Sequence, residues 1–387
     1  MKYSISKLMG SLALGSLLLA ACNNAEYSEL TDQAFIAQTN TDGNTSTKIT
    51  VGTTAVSQDI KVRLSSPATV SHTFELVYDT LALKQYNQRN QTEYKALPDT
   101  VFSLSSSTIT IDAGKVISSS IQLTVKPLAD ALKNSGMKYA IPLVLKSKDG
   151  QVGVLNSGGT IVYIIDQVVR QPVPVIDMAH SITFTMRKEY ALSAWTVEMC
   201  VNMDQLGTAV GQLNNQMLFG GWAPSGKDGE IYTRFGDAPI EGNRLQVKTQ
   251  GTQLNSNKLF DANKWYHIAF VCEGTKLSLY VDGKLDNSMD LPGKIVNISN
   301  SMSFATTSYF KAHAQVSELR FWTKARTQNE IANNMYVCDP KSDGLEAYWK
   351  MNEGQGDILN DATGHGNTGK IAAVPTWNTN VRIDGKE

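Results

Sequence analysis

Residue types suited to catalysis are sparse in this 387-residue chain and do not fall at catalytic spacings. None of its five histidines lies in a Gly-x-Ser-x-Gly or His-Glu-x-x-His context, the patterns of nucleophilic and zinc-dependent hydrolysis. Retaining glycosidases require two carboxylates about 5 to 5.5 Å apart. No Glu-x-Asp-x-x-Glu stretch supplies such a pair: Glu198 stands alone on its predicted strand, and Asp228 and Glu230 lie in a glycine-rich loop. We therefore predict a non-catalytic protein.

Aromatic side chains in predicted loops give the sequence its clearest binding chemistry. Trp222 lies in the turn-rich segment 220–229, where burial of an indole is difficult. Sugar rings pack their C–H faces on aromatic rings and hydrogen-bond to neighbouring amides and carboxylates. The predicted glycan contacts are Trp222, Tyr232, Phe235, Tyr309 and Phe310.

The N-terminus has the pattern of an export signal. Lys2 and Lys7 precede an uncharged apolar run of about fourteen residues, too short for a spanning helix of about 20. The run ends in Leu-Ala-Ala-Cys22, which resembles a bacterial lipobox, where the cysteine accepts a lipid whose acyl chains (palmitate) hold the protein on a membrane. We predict a signal peptide over residues 1–21, lipid attachment at Cys22 and a tether over 22–33. An ordinary signal peptide with an incidental cysteine is the alternative.

The other three cysteines are Cys200, Cys272 and Cys338, an odd set without a Cys-x-x-Cys motif or a metal-ligand spacing to histidine. Cys272 lies in an apolar run, where a buried and inert thiol is the expected state. Exported proteins meet an oxidising environment, so a Cys200–Cys272 disulfide is an open alternative.

Charge and length limit the partners and the architecture. The chain has 35 Lys and Arg against 36 Asp and Glu, a formal net charge of −1, without the basic excess that nucleic-acid phosphates require. We therefore exclude nucleic acid as a partner. A length above the ~250 to 300 residues at which single cores stop growing predicts two domains.

Period-two hydrophobic patterns predict an all-β protein of two β-sandwiches. The first sandwich is predicted over residues 34–168. The segment Gln171-Pro172-Val173-Pro174 interrupts the pattern, because proline cannot donate to a strand ladder, and predicts a linker over 169–175. The second sandwich is predicted over residues 176–387.

The second half contains an ordered set of motifs, namely Trp195–Glu198, Trp265–Ala269, Leu279–Lys284, Glu318–Trp322, Ala347–Gly354 and Asp361–Asn367. The set resembles the concanavalin A-like, laminin G type domain. The resemblance implies a jelly-roll of two antiparallel sheets, and it admits a structural Ca²⁺, for which Asp357, Asp361 and Asn367 place oxygen ligands around a glycine-rich loop. Ordinary turns give the same pattern.

The first half contains the stretches Ile111–Gly114 and Tyr139–Leu143. With these and other stretches it resembles an N-terminal domain of unknown function found in Bacteroidota surface lipoproteins, including some family 18 endoglycosidases. The resemblance implies a place on the outer membrane, facing the cell surface, beside a transporter or glycosidases of a glycan-degradation system. It also implies O-glycosylation acceptors at Thr80 and Thr100, each in an Asp-Thr-apolar triplet.

These expectations favour one function over two others. The favoured function is a non-catalytic, surface-anchored lipoprotein that binds glycans through the second sandwich. The first alternative is a protein-binding or adhesion module on the cell surface. A glycoside hydrolase is less favoured than either, because the paired carboxylates are missing from the sequence.

Overall fold

The computed structural model describes residues 32–39, 45–133, 135, 137–167 and 170–386. The predicted signal peptide, Cys22 and nearly all of the predicted tether lie outside the described residues. Within those ranges the chain is built of strands, and the helices there are too short or too polar to cross a membrane.

The N-terminal half contains twelve of the described strands and two short helices. Three sheets surround one core, in the orders β11-β1-β4, β2-β12-β10-β5-β8 (with β6 beside β10) and β3-β9-β7. Most pairs are antiparallel, but β1–β11, β2–β12 and β6–β10 are parallel. The elements are β1 (Gln33–Ile36), β2 (Ser46–Val51), β3 (Val56–Ile60), β4 (Val62–Leu64), β5 (His72–Tyr78), α1 (Thr80–Asn90), β6 (Lys95–Ala96), β7 (Phe102–Leu104), β8 (Thr108–Ile111), β9 (Ile121–Val125), α2 (Asp130–Lys133), β10 (Tyr139–Ser147), β11 (Gly153–Val154) and β12 (Thr160–Gln167).

Helix α1 shows how local sequence positions an element on this sandwich. It begins after Asp79, whose carboxylate accepts hydrogen bonds from the backbone of Leu81 and Ala82 and so caps the helix. Leu83 and Tyr86 turn inward, where they pack beside β10 and β12. The helix is therefore held by its cap and by two buried side chains.

The C-terminal half contains the other eighteen described strands and one helix. Sheet I has the order β23-β22-β21-β16-β26-β13-β30, with β27 beside β26; sheet II has the order β20-β19-β18-β17-β25-β14-β29-β28. The elements are β13 (Arg170–Ile176), β14 (Ile182–Thr185), β15 (Tyr190–Leu192), β16 (Ala194–Met203), β17 (Gln216–Trp222), β18 (Glu230–Phe235), β19 (Arg244–Thr249), β20 (Thr252–Leu259), β21 (Trp265–Glu273), β22 (Lys276–Val281), β23 (Lys284–Asp290), β24 (Val296–Ile298), β25 (Ser301–Phe304), β26 (Ala314–Trp322), α3 (Gln328–Asn333), β27 (Leu345–Trp349), β28 (Ile358–Asn360), β29 (Thr368–Ile371) and β30 (Trp377–Arg382).

The inner faces of sheets I and II enclose one large apolar core. Phe184 of sheet II and Trp349 of sheet I meet across it, with ring centroids 4.2 Å apart. Such aromatic pairs add about 0.5 to 1.5 kcal/mol beyond the area that they bury. The all-β prediction and the jelly-roll fold of the second half are confirmed.

The linker prediction for residues 169–175 is wrong, because residues 170–176 form strand β13. Both neighbours of this strand are antiparallel, β26 on one side and β30 on the other. The register with β30 shifts between Gln171 and Val173, so Pro172 falls at the irregularity. A bulge tolerates a residue that cannot donate to the ladder, so Pro172 is accommodated within a sheet.

Polar contacts tie the two halves of the chain together. Lys138 donates to the Asn333 carbonyl, and Ser342 Oγ donates to Glu93 Oε2 at 2.6 Å. Thr327 Oγ1 lies 2.9 Å from Gln91 Oε1, and the ammonium of Lys95 lies 3.2 Å from the carboxylate of Asp339. Thr327 and Asn333 lie at the two ends of α3, and Asp339 and Ser342 follow this helix in the chain. Helix α3 covers the outer face of sheet I.

Candidate functional site

Trp222 is the last residue of strand β17, not a loop residue as the sequence predicted. It pairs with Glu230 of β18, and the turn between the strands is closed by a hydrogen bond from the Ala223 amide to the Gly229 carbonyl. Glu230, Tyr232 and Arg234 alternate with the buried Ile231 and Thr233, so this side of β18 faces outward. Trp222 shares that outward face and is 42% exposed.

The indole of Trp222 lies across the backbone of Gly220. A methyl group at Gly220 would come within 2.5 Å of both Cη2 of Trp222 and Cε of Met217. Only the absence of a side chain at this position allows the ring to lie against sheet II. The centroid of the Trp222 ring is 5.8 Å from that of Tyr232.

Tyr232 is held in place by a polar network on the same face. Its hydroxyl donates to Asn215 Oδ1 at 2.7 Å, and Arg234 Nη1 donates to the same oxygen at 3.0 Å. Arg234 Nε donates to Gln246 Oε1 at 2.9 Å, and its guanidinium carbon lies 5.3 Å from the Tyr232 ring centroid. Burial raises the pKa of Tyr232, so the phenol stays protonated at neutral pH.

Trp222, Tyr232 and Arg234, with Asn215 and Gln246, form what we term the aromatic platform. Sequence reasoning found Trp222 and Tyr232 but missed the three polar members. A signal was available for Arg234, because residues two apart on a strand share a face. Asn215 and Gln246 reach the site only through the pairing of β17, β18 and β19, which one sequence does not specify.

A cavity of about 470 Å³ adjoins the platform, and Trp222 is part of its wall. Side chains of both charges line the rest of it, namely Lys227, Asp228, Glu230 and Lys294 together with the amide of Gln250. These groups offer hydrogen-bond donors and acceptors beside an exposed aromatic ring. The combination suits a neutral, hydroxyl-rich ligand with an apolar face.

Two of the predicted glycan contacts are wrong, because their rings are buried. Phe235 is 1% exposed and packs edge-on against Phe260, with ring centroids 5.1 Å apart. Phe310 is 2% exposed and packs against Phe304. Tyr309 is 59% exposed and remains a predicted contact.

The residues predicted to bind Ca²⁺ act instead as hydrogen-bonding groups of a turn. Both carboxylate oxygens of Asp361 accept from Thr363 Oγ1 at 2.8 Å, and Oδ2 also accepts from the Asn367 amide at 2.9 Å. Asp357 is on a different segment, where its carbonyl accepts from the Ile371 amide. Across the described residues, no group of three or more His, Cys, Asp or Glu side chains is arranged to hold a metal ion. This arrangement does not support the calcium prediction.

Glu198 belongs to a charged network that is closed to solvent on the outer face of sheet I. Its Oε1 accepts from Trp322 Nε1 and from Arg326 Nη1, each at 2.6 Å, and its Oε2 lies 3.3 Å from His267 Nε2. Arg320 lies in the same network, bonded to Glu318. All of these side chains are buried, so no substrate reaches the carboxylate.

Cys200 and Cys272 are free and buried, as is Cys338. Cys200 lies opposite His267 in the β16–β21 pair, whereas Cys272 lies opposite Trp195, five positions further along. Their side chains also point to opposite faces of sheet I, since Cys272 joins the inner core and Cys200 does not. A disulfide bond requires Cα atoms within about 7 Å, so these two cysteines do not pair.

Comparisons with known proteins agree with this architecture. A family model described as the concanavalin A-like lectin/glucanase superfamily matches residues 179–332. The C-terminal half carries a concanavalin A-like domain. A second family model, described as an N-terminal domain, matches residues 29–152. No curated protein matches the chain.

Three solved structures are also similar to this chain. A Bacteroides ovatus protein, provisionally described as carbohydrate-binding, is 21% identical with a TM-score of 0.55, over 90% of this chain and 97% of its own. A SAP-like pentraxin from Limulus polyphemus is 14% identical over 53% of this chain and 96% of its own, with a TM-score of 0.36. A two-domain Bacteroides fragilis protein of unknown function is 11% identical over 78% of this chain and 100% of its own, with a TM-score of 0.29. The first of these shares the fold of both halves.

Proposed function

We propose that this chain is a non-catalytic, lipid-anchored surface protein that binds glycans at the aromatic platform. The observation that carries the proposal is the partly exposed Trp222 indole, which lies over Gly220 of sheet II beside a cavity with polar walls. A monosaccharide ring stacks its C–H face on this indole. Its hydroxyls then reach the side chains of Asp228, Glu230 and Lys227.

We propose a non-catalytic function because of the positions of the acidic side chains. Glu198, the acid of the sheet I network, is enclosed by cationic partners and shielded from solvent. Asp228 and Glu230 line the cavity at the platform together with Lys227 and Lys294, a mixture of charges that suits hydrogen bonding to sugar hydroxyls. The provisional carbohydrate-binding description of the Bacteroides ovatus structure is consistent with a lectin-like role.

Lipid attachment at Cys22 would allow weak binding at each site to retain a glycan at the cell surface. Each buried acyl CH₂ contributes about 0.8 kcal/mol, so several chains on one cysteine hold the protein durably on the outer membrane. Many anchored copies raise the effective concentration of sites along one polysaccharide, so a modest affinity per site suffices. A membrane transporter or glycosidases would receive the captured glycan.

Affinity electrophoresis through gels containing defined polysaccharides tests the proposal. We expect at least one glycan to retard the wild-type chain, and Trp222→Ala to abolish the retardation. Leu285→Ala is the matched control, since Leu285 is similarly exposed but lies on β23 of sheet I. Failure of every glycan to retard the wild type, or equal retardation of Trp222→Ala, would contradict the proposal. Capture of an envelope protein without any glycan would favour the adhesion alternative.

A further inference from the structure

A second cavity lies between the two halves of the chain, far in sequence from the platform. It has a volume of about 290 Å³. One wall comes from β2, β12 and the segment before β10, and the other from the end of α3, the residues after it and the C-terminal residues. The contacts of Lys138 with Asn333 and of Gln91 with Thr327 hold these walls together. The cavity is therefore a feature of the two-domain arrangement and of neither half alone.

The charges in this cavity are predominantly positive. Four lysines line it, against two aspartates, Asp166 and Asp384. Asp384 is already neutralised, because Arg382 Nη2 lies 2.8 Å from its carboxylate. The lysines are Lys48, Lys133 and Lys386, which are exposed, and Lys138, which is half-buried.

The remaining surface of the cavity is mainly apolar. Ile165 and Ile383 are buried side chains at its base. Met137, Met335 and Val337 are partly buried and add apolar surface from both halves. Methionine adapts its shape to irregular ligands, so this lining accepts an apolar body without demanding one exact outline.

We propose that the interdomain cavity binds a small organic anion with an apolar body, its carboxylate or sulfonate directed at the Lys138 ammonium. The apolar body packs against the methionines and isoleucines, and the exposed lysines attract the anion to the opening. The volume is close to the lower limit for small-molecule sites, which restricts the ligand to a single ring or a short chain. This site is independent of glycan binding at the platform.

The state of Lys138 supports the proposal. Burial and the neighbouring charge of Lys48 lower the pKa of Lys138 to about 8. Removing a charge from water and placing it near a like charge both disfavour the ammonium. A bound anion supplies the opposite charge, so it stabilises the protonated lysine and is held by it in return.

Calorimetric titration with octanoate, and with octan-1-ol as the uncharged control, tests this site. The protein is the chain from residue 22 with Cys22→Ser, which removes the predicted lipid. We expect octanoate to bind and octan-1-ol to bind at least about tenfold more weakly, since a charge-assisted hydrogen bond is lost. Absence of octanoate binding, or equal binding of the alcohol, would overturn the proposal.

Variants then assign the binding to the cavity. We expect Lys138→Met to weaken octanoate binding about tenfold and Met335→Trp to remove it by filling the space. Lys115→Met, at an exposed turn, is the matched control for charge, and Trp222→Ala separates this site from the platform. If Lys138→Met does not fold, Met335→Trp still decides the question. Unchanged binding in Met335→Trp would overturn the proposal, whatever the glycan experiments show.

Discussion

Trp322 donates its indole N–H to Glu198 Oε1 at 2.6 Å, inside a charged network from which solvent is excluded. The same oxygen accepts from Arg326 at 2.6 Å, and the guanidinium of Arg326 lies 4.1 Å from the Trp322 ring centroid. These three residues join strands β16 and β26 to the segment that leads into α3. Glu198 is thus a structural acid, and its loss has a measurable cost.

Glu198→Gln is expected to destabilise the chain by about 3 to 5 kcal/mol, because it leaves the buried guanidinium of Arg326 without a counter-charge. Urea denaturation followed by tryptophan fluorescence measures the change. Glu189→Gln, at an exposed acid of the same half, is the control and is expected to change stability by less than about 0.5 kcal/mol. Equal midpoints for Glu198→Gln and the wild type would show that the network carries little stability.

Stability is expected to fall as the pH is lowered from 7 to 4. Burial lowers the pKa of His267. Burial alone would raise the pKa of Glu198, but the neighbouring Arg326, His267 and Arg320 outweigh this effect and hold the pKa of Glu198 below its usual value. Both groups therefore contribute stability above their unfolded pKa values, about 6.5 and 4.3, and lose it as the pH falls through the folded values.

Urea midpoints at pH 7, 6, 5 and 4 measure this dependence. His267→Gln removes the first titration, so its midpoint is expected to change less than that of the wild type between pH 7 and 5. A wild-type midpoint that is constant over that interval would contradict the role assigned to His267.

Gly220→Ala is expected to weaken glycan retardation as Trp222→Ala does, while leaving the fold intact. The added methyl group meets the Trp222 ring and Met217 Cε, both ends of side chains that can move aside. Gly52→Ala is the matched control, because its Cβ meets nothing within 4 Å. Affinity electrophoresis and the melting temperature, taken together, separate ring displacement from unfolding. Full retardation of Gly220→Ala would show that the position of the Trp222 ring over Gly220 is not required for binding.

Chelation is expected to leave the melting temperature unchanged within about 2 °C. The carboxylate oxygens of Asp361 accept hydrogen bonds from Thr363 and Asn367, so we expect no calcium ion at this site for EDTA to remove. Asp361→Ala, by contrast, is expected to cost about 1 to 3 kcal/mol because it leaves buried donors without an acceptor. A large downward shift with EDTA that calcium reverses would restore the calcium prediction.

The three cysteines of the C-terminal half are expected to resist a thiol reagent in the native state and to react fully in urea. All three are buried, and burial raises the thiol pKa of each. The measurement is the number of thiols titrated per chain in a Cys22→Ser variant. Fewer than three thiols in urea without reductant would indicate a disulfide.

The strands were predictable where alternation was regular, as in β5, where Phe74 and Leu76 are buried. Alternation is equally strict in β18, which the sequence reasoning did not identify as a strand. The same alternation excludes Phe235 as a second glycan contact beside Tyr232, because two residues three positions apart on a strand point to opposite faces of the sheet. Strand β13 was not predictable, because Pro172 is tolerated there through a bulge against β30. The interdomain cavity was also beyond sequence reasoning, as its lining residues come from segments more than 300 positions apart.

The platform and the N-terminal half lie on opposite sides of the C-terminal sandwich. Trp222 and Tyr232 are on the outer face of sheet II, whereas the partners of the N-terminal half lie beside α3, over the outer face of sheet I. If Cys22 carries the proposed lipid, the proposed glycan-binding surface is directed away from the anchored side of the molecule. A polymer too long to pass between neighbouring proteins would then meet the platform at the tip of each copy, without first entering the protein layer.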